Sequence, residues 1–212
     1  MKRLSLLVSV SVLGLGVLCA QTVDLQQVNQ YAKQQYKAQW KSAAMSILPV
    51  LDLNEQGGYT YSTTIGMPNH SKAEVYETLS NKLGQIVDLD TILIENLEQG
   101  VFSARTYLYS VSNQVGGFYR FHLCLHPTIQ LTAKDNEAEL EISLQYYEIV
   151  KTDKGLVSSI FNRAEGTPLP AEQWLVADRY PYNERGKMPL ATAEAFTKSY
   201  ALIQLLVEQL KK

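Results

Sequence analysis

Polar and apolar residues alternate along two neighbouring segments in the middle of the chain. Apolar residues fall on odd positions over 119–133 and on even positions over 138–146. Such alternation predicts two β-strands, each with one buried and one polar face, joined by a tight turn. Pairing across that turn sets Leu131 opposite Leu140, so the apolar faces of both strands coincide. Pro127 has no amide hydrogen, and we therefore expect a bulge or an edge position there.

Three other segments complete the predicted sheet region. A strand is predicted over 59–65, where larger residues alternate with Ser and Thr. Apolar runs at 92–97 and 101–109 surround a Glu-Gln-Gly sequence and predict a hairpin. The polar stretch 110–117 ends in a Gly pair and is expected to be a loop.

Helical spacing of apolar residues appears in three places. The segment 21–45 is rich in Gln, Lys and Ala and predicts a helical lead-in. A second helix is predicted to begin at Ser71, because Glu74 three residues later completes a capping box. Apolar residues then step by four and three from Phe196 to Leu210, which predicts an amphipathic C-terminal helix.

These elements predict an α+β fold with an antiparallel sheet in the order β-α-β-β-β-β-α, preceded by an extra helix. Helices with apolar stripes must bury them, so we expect them to cover one face of the sheet. The chain divides into a signal peptide at 1–20, a helical lead-in at 21–48, a core at 49–150, a loop-rich extension at 151–189 and a C-terminal helix at 190–212 docked on the core.

The beginning of the chain has the three parts of a secretory signal peptide. Two basic residues precede an apolar run, and Ala20 is a small residue at the expected cleavage site. Neither this run nor any later one is long enough to predict a transmembrane helix. We expect an exported bacterial protein of the periplasm or cell surface. A lipoprotein anchored through Cys19 is the alternative, although Leu18 is bulkier than that cleavage prefers.

Composition narrows the function classes. The 212 residues carry a formal net charge of −2, and nucleic-acid binding relies on Lys and Arg to release phosphate counterions. We therefore expect no nucleic-acid partner. Cleavage near Ala20 would leave Cys124 as the one cysteine, so a hydrophobic core must hold the fold. The sequence has no phosphate-binding loop, dinucleotide fingerprint, nucleophile elbow or HExxH motif, and we expect no cofactor.

The order of these elements and several short motifs resemble a known family. The motifs are Pro49-Val50 and Asp52 ahead of a strand led by Tyr59, Ser71-Lys72-x-Glu74-Val75-Tyr76 at the helix start, and Tyr180-Pro181-Tyr182-Asn183 before the last helix. Over 49–150 the chain is similar to bacterial secreted proteins of the domain of unknown function 4468 (DUF4468), with a TATA-binding-protein-like (TBP-like) fold. His126-Pro127-Thr128 departs from the family pattern. The resemblance implies a fold and an exported location, and neither catalytic residues nor DNA binding follow from it.

His122, Cys124 and His126 alternate along one strand and are expected on its polar face. Imidazole and thiolate are ligands for Zn²⁺, but residues four apart on a strand lie about 13 Å apart. One ion cannot reach all three without a bulge, so we expect no metal. A Cys–His nucleophile is a further reading, although a cysteine in mid-strand lacks the oxyanion donors that a turn or helix start supplies.

Tyrosine and arginine side chains are expected beside these three residues, and both types are common in binding hot spots. The expected ligand or partner face consists of Arg105, Tyr107, Tyr109, Arg120, His122, Cys124, His126 and Tyr147. Ordinary cross-strand packing is the alternative for the same residues. The sequence favours a non-catalytic binding or interaction module of the cell envelope, with an unknown protein or small ligand. The alternatives are a hydrolase or metal-dependent enzyme centred on His122, Cys124 and His126, and a structural envelope component that self-associates.

Overall fold

The computed structural model describes residues 23–53, 58–116, 119–153, 173–176 and 189–212. The expected signal peptide, the lipidation alternative at Cys19 and the Tyr180 motif lie outside these residues. Within the described part of the chain, no helix combines the length and the apolar character needed to cross a membrane.

The described residues form a mixed α+β arrangement of helices and strands. The helices are α1 (Leu25–Tyr36), α2 (Trp40–Ile47), α3 (Lys72–Ile86) and α4 (Pro189–Leu210). The strands are β1 (Asp52–Leu53), β2 (Tyr59–Gly66), β3 (Leu89–Asn96), β4 (Val101–Thr106), β5 (Leu108–Gly116), β6 (Tyr119–Leu125), β7 (Thr128–Lys134), β8 (Glu137–Leu144), β9 (Tyr146–Asp153) and β10 (Gln173–Val176).

Within the described residues, the strands form two antiparallel sheets where the sequence predicted one. The six-stranded sheet has the order β1-β2-β8-β7-β4-β3, and the four-stranded sheet has the order β10-β9-β6-β5. The long strands predicted from alternation exist, but each passes from one sheet to the other through a break. The breaks fall at Tyr107, at His126-Pro127 and at Gln145. The predicted α+β class with antiparallel pairing is confirmed.

The predicted register of the central hairpin is confirmed. Leu131 lies opposite Leu140, and Ile129 lies opposite Ile142. Asn136 in the connecting turn has a φ of 70°, as tight hairpin turns require. These apolar residues are buried together, so alternation and turn chemistry agree on one pairing.

Pro127 ends a strand instead of forming the predicted bulge or edge position. Proline cannot donate to a sheet ladder, and β6 stops before it while β7 begins after it. The Pro127 carbonyl still accepts a hydrogen bond from the Thr106 amide, at 3.2 Å. The chain therefore turns from the four-stranded to the six-stranded sheet at this residue.

Two segments expected to be irregular contain strands. Residues 110–116 of the predicted loop at 110–117 belong to β5, which pairs with β6 around a wide bulge, and Gly117 lies outside the described residues. Leu108 faces Leu125 and Ser112 faces Leu123, so the intervening three residues lie opposite Cys124 alone. The expected loop-rich extension contains β10, which pairs with β9.

The N-terminal lead-in is two helices, because the chain bends between α1 and α2. Lys37 and Ala38 there have φ values of 48° and 57°, outside the helical region. Both helices contact α4. The Thr197 hydroxyl donates to the Trp40 carbonyl at 3.3 Å, which ties α4 to the start of α2.

The core lies between the helices and the two sheets. The α3 helix packs on the six-stranded sheet with its predicted apolar stripe, and α4 packs on β5 and β6. The buried stripe of α3 consists of Val75, Leu79, Leu83 and Ile86. The prediction of helices over one sheet face therefore describes both packing layers.

Replacing Ser71 by alanine should lower the free energy of unfolding by about 1 kcal/mol. The Ser71 hydroxyl accepts the Glu74 amide at 3.4 Å, and the Glu74 carboxylate accepts the Ser71 amide at 2.8 Å. The alanine variant loses the first of these bonds and also the bond that the Ser71 hydroxyl donates to the Glu74 carboxylate at 2.8 Å. Urea unfolding measures the loss, and Ser71→Thr, which keeps the hydroxyl, should lose less stability than Ser71→Ala does. Equal stability of Ser71→Ala and the unchanged protein would contradict this role for the cap.

Candidate functional site

Four aromatic and imidazole rings come together on the outer face of the four-stranded sheet, next to its junction with the six-stranded sheet. The Tyr107 ring packs on His126 with centroids 4.7 Å apart, and the Tyr109 ring stacks on His122 at 5.2 Å. Tyr107 and Tyr109 remain 39% and 44% exposed. We call Tyr107, Tyr109, His122 and His126 the ring surface.

The strand breaks and the bulge of β5 produce this surface. Tyr107 and His126 occupy two of the breaks between the sheets, and Tyr109 lies in the bulge. A bulge re-aims side chains relative to a regular strand. Two tyrosines from the segment 107–109 therefore lie over two histidines from the segment 122–126.

Glu148 of β9 supports the ring surface from the side. Its carboxylate lies 2.9 Å from His126 Nε2. Both side chains are largely buried, so the pair holds the His126 ring in one orientation beneath Tyr107. Glu148 was missed from the sequence because the alternation predicted for this strand places even positions on the apolar face. The signal was present, since Tyr147 and Ile149 move the apolar residues to odd positions.

Cys124 lies beneath the ring surface and is fully buried. The Tyr107 hydroxyl donates a hydrogen bond to its sulfur, and the Ser110 amide donates another at 3.3 Å. Burial raises the pKa of the Cys124 thiol, which keeps it protonated at neutral pH. A buried, protonated thiol is a poor nucleophile, so this environment disfavours the Cys–His reading.

His122 is held by hydrogen bonds at both ring nitrogens. Its Nδ1 lies 2.7 Å from the Ser110 hydroxyl, and its Nε2 lies 3.2 Å from the Thr152 hydroxyl. Desolvation lowers the pKa of His122, and the nearby Arg120 charge lowers it further. The imidazole is therefore neutral at neutral pH. Sequence analysis did not single out Ser110 or Thr152, because hydroxyl side chains on strands carry no distinguishing pattern.

Tyr147 does not belong to the predicted face. It lies opposite Leu125 and is fully buried on the helix-covered side. Gln145 interrupts the strand between β8 and β9. The pairing of β9 with β6 is therefore offset by one residue from the pairing of β8 with β7. Counting alternate positions across that break assigned Tyr147 to the wrong face.

The two predicted arginines lie on different sheets. Arg120 is exposed on β6, beside His122 and Tyr109. Burial raises the pKa of Tyr109, and the Arg120 charge opposes that rise. Arg105 is half-buried on β4, in the six-stranded sheet, opposite Thr128. The structure thus places Arg120, but not Arg105, on the sheet that carries the ring surface.

Metal binding requires converging ligands, and the imidazoles here point to other partners. His126 contacts Glu148, and His122 contacts two hydroxyl groups. Among the residues that the structure describes, no group of three or more His, Cys, Asp or Glu side chains is arranged to hold a metal ion.

Two solved structures are similar to this chain. One is a DUF4468 family protein from Bacteroides ovatus ATCC 8483, 13% identical, with a TM-score of 0.47 over 77% of this chain and 91% of that one. The other is a TBP-like protein from Parabacteroides distasonis ATCC 8503, 15% identical, with a TM-score of 0.45 over 75% and 96%. No protein-family model and no curated protein matches. The DUF4468 and TBP-like descriptions of these two structures agree with the family and fold that the sequence resembles.

Proposed function

We propose that this protein is an exported binding module of the bacterial cell envelope, and that the ring surface holds a protein or small ligand. The observation that carries the proposal is the pair of exposed tyrosines packed on two histidines. Tyrosine offers a large contact area with little conformational entropy to lose. The export signal expected in the first 20 residues supports the envelope location.

The ring surface is preorganised for binding. Glu148 fixes His126, while Ser110 and Thr152 fix His122. Each tyrosine rests on a ring that is already held, so little side-chain freedom remains to be lost when a ligand covers it. Preorganisation of this kind improves affinity because binding then costs less entropy. A ligand with a flat apolar or aromatic face suits the open sides of the two tyrosine rings.

Replacing both Tyr107 and Tyr109 by alanine should reduce partner capture at least tenfold, as expected when hot-spot rings are lost. Capture is measured by crosslinking the exported protein in cells and identifying the captured molecules by mass spectrometry. The matched control is Met45→Ala, which removes a side chain that is 50% exposed on α2. The control should capture the partner as well as the unchanged protein does.

Two results of this experiment would contradict the proposal. Equal capture by the double variant, with its fold verified by circular dichroism, would show that the ring surface is not the binding site. The mass spectra of the exported protein also identify its N-terminal residue. A protein that begins near Gln21 supports cleavage after Ala20, whereas a chain that retains Met1 in the cytoplasm would contradict export.

A further inference from the structure

We propose that Ser110 is a nucleophilic hydroxyl activated by His122, and that the ring surface presents a small carboxylic ester to this pair for hydrolysis. This inference rests on the proposed function in one respect, namely that the same face is open to a ligand. It goes further by assigning a reaction and a substrate class, and by naming a residue that sequence analysis did not consider.

The backbone at Ser110 has the geometry that functional residues often show. Ser110 lies in the bulge of β5 with a φ of 55°, in a region that non-glycine residues rarely occupy. Such strain persists only where the surroundings impose it, and it is concentrated at active sites and ligand clamps. Here the Ser110 amide is fixed to the Cys124 sulfur. The hydroxyl is thereby directed towards His122, 2.7 Å away.

The directions of the hydrogen bonds around His122 follow from the partners. The Thr152 hydroxyl lies 3.4 Å from the Arg120 carbonyl, which can only accept, so Thr152 donates its hydrogen there. Thr152 must then accept a hydrogen bond from His122 Nε2–H. A neutral imidazole carries one hydrogen, so Nδ1 has a free electron pair. The Ser110 hydroxyl donates to that pair.

This chain of hydrogen bonds has the parts of a serine nucleophile with its base. A nucleophilic hydroxyl, a neutral imidazole within hydrogen-bond reach and a third group that orients the imidazole form the general pattern. Thr152 takes the orienting position that a carboxylate often fills. The imidazolium formed during the reaction is therefore less stabilised than it would be beside a carboxylate. The stacked Tyr109 ring holds the imidazole plane from above. Arg120 is exposed beside His122 and adds positive charge on this side of the sheet.

The reaction balances with water as the only co-reactant. Ser110 Oγ attacks the ester carbonyl carbon while His122 Nδ1 takes the hydroxyl proton. The tetrahedral oxyanion collapses, the carbon–oxygen bond to the alcohol breaks, and the alcohol leaves with the proton from His122. Water, deprotonated by His122, then attacks the acyl group on Ser110. The carboxylic acid departs, and the serine hydroxyl regains its proton.

The test is covalent labelling of the full exported protein with an alkyl fluorophosphonate, which reacts with base-activated serines. We expect mass spectrometry to find the label on Ser110, formed with release of fluoride. His122→Gln should slow labelling by about 100-fold or more, the usual contribution of a general base. Ser112, two residues away with its hydroxyl bonded to the Ala191 carbonyl, provides an internal control and should stay unlabelled.

Three outcomes would overturn the inference. They are labelling of Ser110 no faster than in the urea-unfolded chain, labelling unaffected by His122→Gln, and equal labelling of Ser112. Circular dichroism verifies that each variant is folded. Partner capture by the unchanged protein, measured beside its labelling, separates this inference from the proposed function. Retained capture without labelling would overturn the nucleophile only, and normal labelling without capture would overturn the binding module only.

Discussion

Replacing Phe196 by alanine should lower the free energy of unfolding by about 4 kcal/mol, which is near the middle of the range for large aromatic side chains. Phe196 is fully buried on α4, and its ring meets the Tyr59 ring edge-on at 5.2 Å. Its removal leaves a cavity where α4 meets β2. Backbone on both sides of that cavity belongs to regular elements, so the structure cannot easily collapse to fill the space.

Urea unfolding monitored by circular dichroism measures this loss. Leu190→Ala on the same helix is the matched control, because Leu190 is 56% exposed and its truncation should change stability by less than about 0.5 kcal/mol. A Phe196→Ala protein that loses less than about 1 kcal/mol would contradict the packing described between α4 and β2.

Replacing Lys198 by methionine should destabilise the protein by about 3 kcal/mol, at the lower end of the cost of removing one member of a buried ion pair. Lys198 is buried on α4, and its ammonium lies 2.6 Å from Glu194. It also donates to the Val111 carbonyl at 2.5 Å and lies 5.8 Å from the centre of the Trp40 ring. Methionine fills similar volume but leaves the carboxylate and the carbonyl without their donor.

The double variant Lys198→Met with Glu194→Gln tests this cause, because it removes the unpaired charge as well. It should recover a measurable part of the lost stability in urea unfolding. A double variant less stable than Lys198→Met alone would contradict the account. Val111 belongs to the bulge that carries Ser110, so Lys198→Met should also slow fluorophosphonate labelling in the variant that remains folded.

The sequence predicted those elements in which local pattern and tertiary packing agree. The register of β7 with β8 follows from alternation on both sides of a turn, and a shift by one residue would expose every apolar side chain. The capping box at Ser71 and the stripe of α4 around Phe196 were found for the same reason, because each pattern lies within one element. The structure places all three as predicted.

The candidate site was predicted only in part, since it depends on places where the alternation is interrupted. The bulge between Leu108 and Ser112 adds residues that no period of two can anticipate. The sequence pattern therefore predicts a loop over 110–117, and it gives no signal that points to Ser110. The break at Gln145 changes which positions face outwards, which assigned Tyr147 to the site and missed Glu148. The sequence did identify the four residues of the ring surface. Each lies before the break at Gln145 or directly at another break between the sheets.

The first two helices that the structure describes, α1 and α2, pack against α4, the last one. The Thr197 hydroxyl bonds to the Trp40 carbonyl and the Tyr31 hydroxyl bonds to Glu208, across 157 and 177 residues of sequence. Contacts this distant form late and make folding slow. A nascent chain leaves the ribosome with α1, α2 and the inner face of the four-stranded sheet uncovered until α4 emerges. During synthesis we therefore expect chaperones that shield apolar surface to bind the surface that α4 later covers.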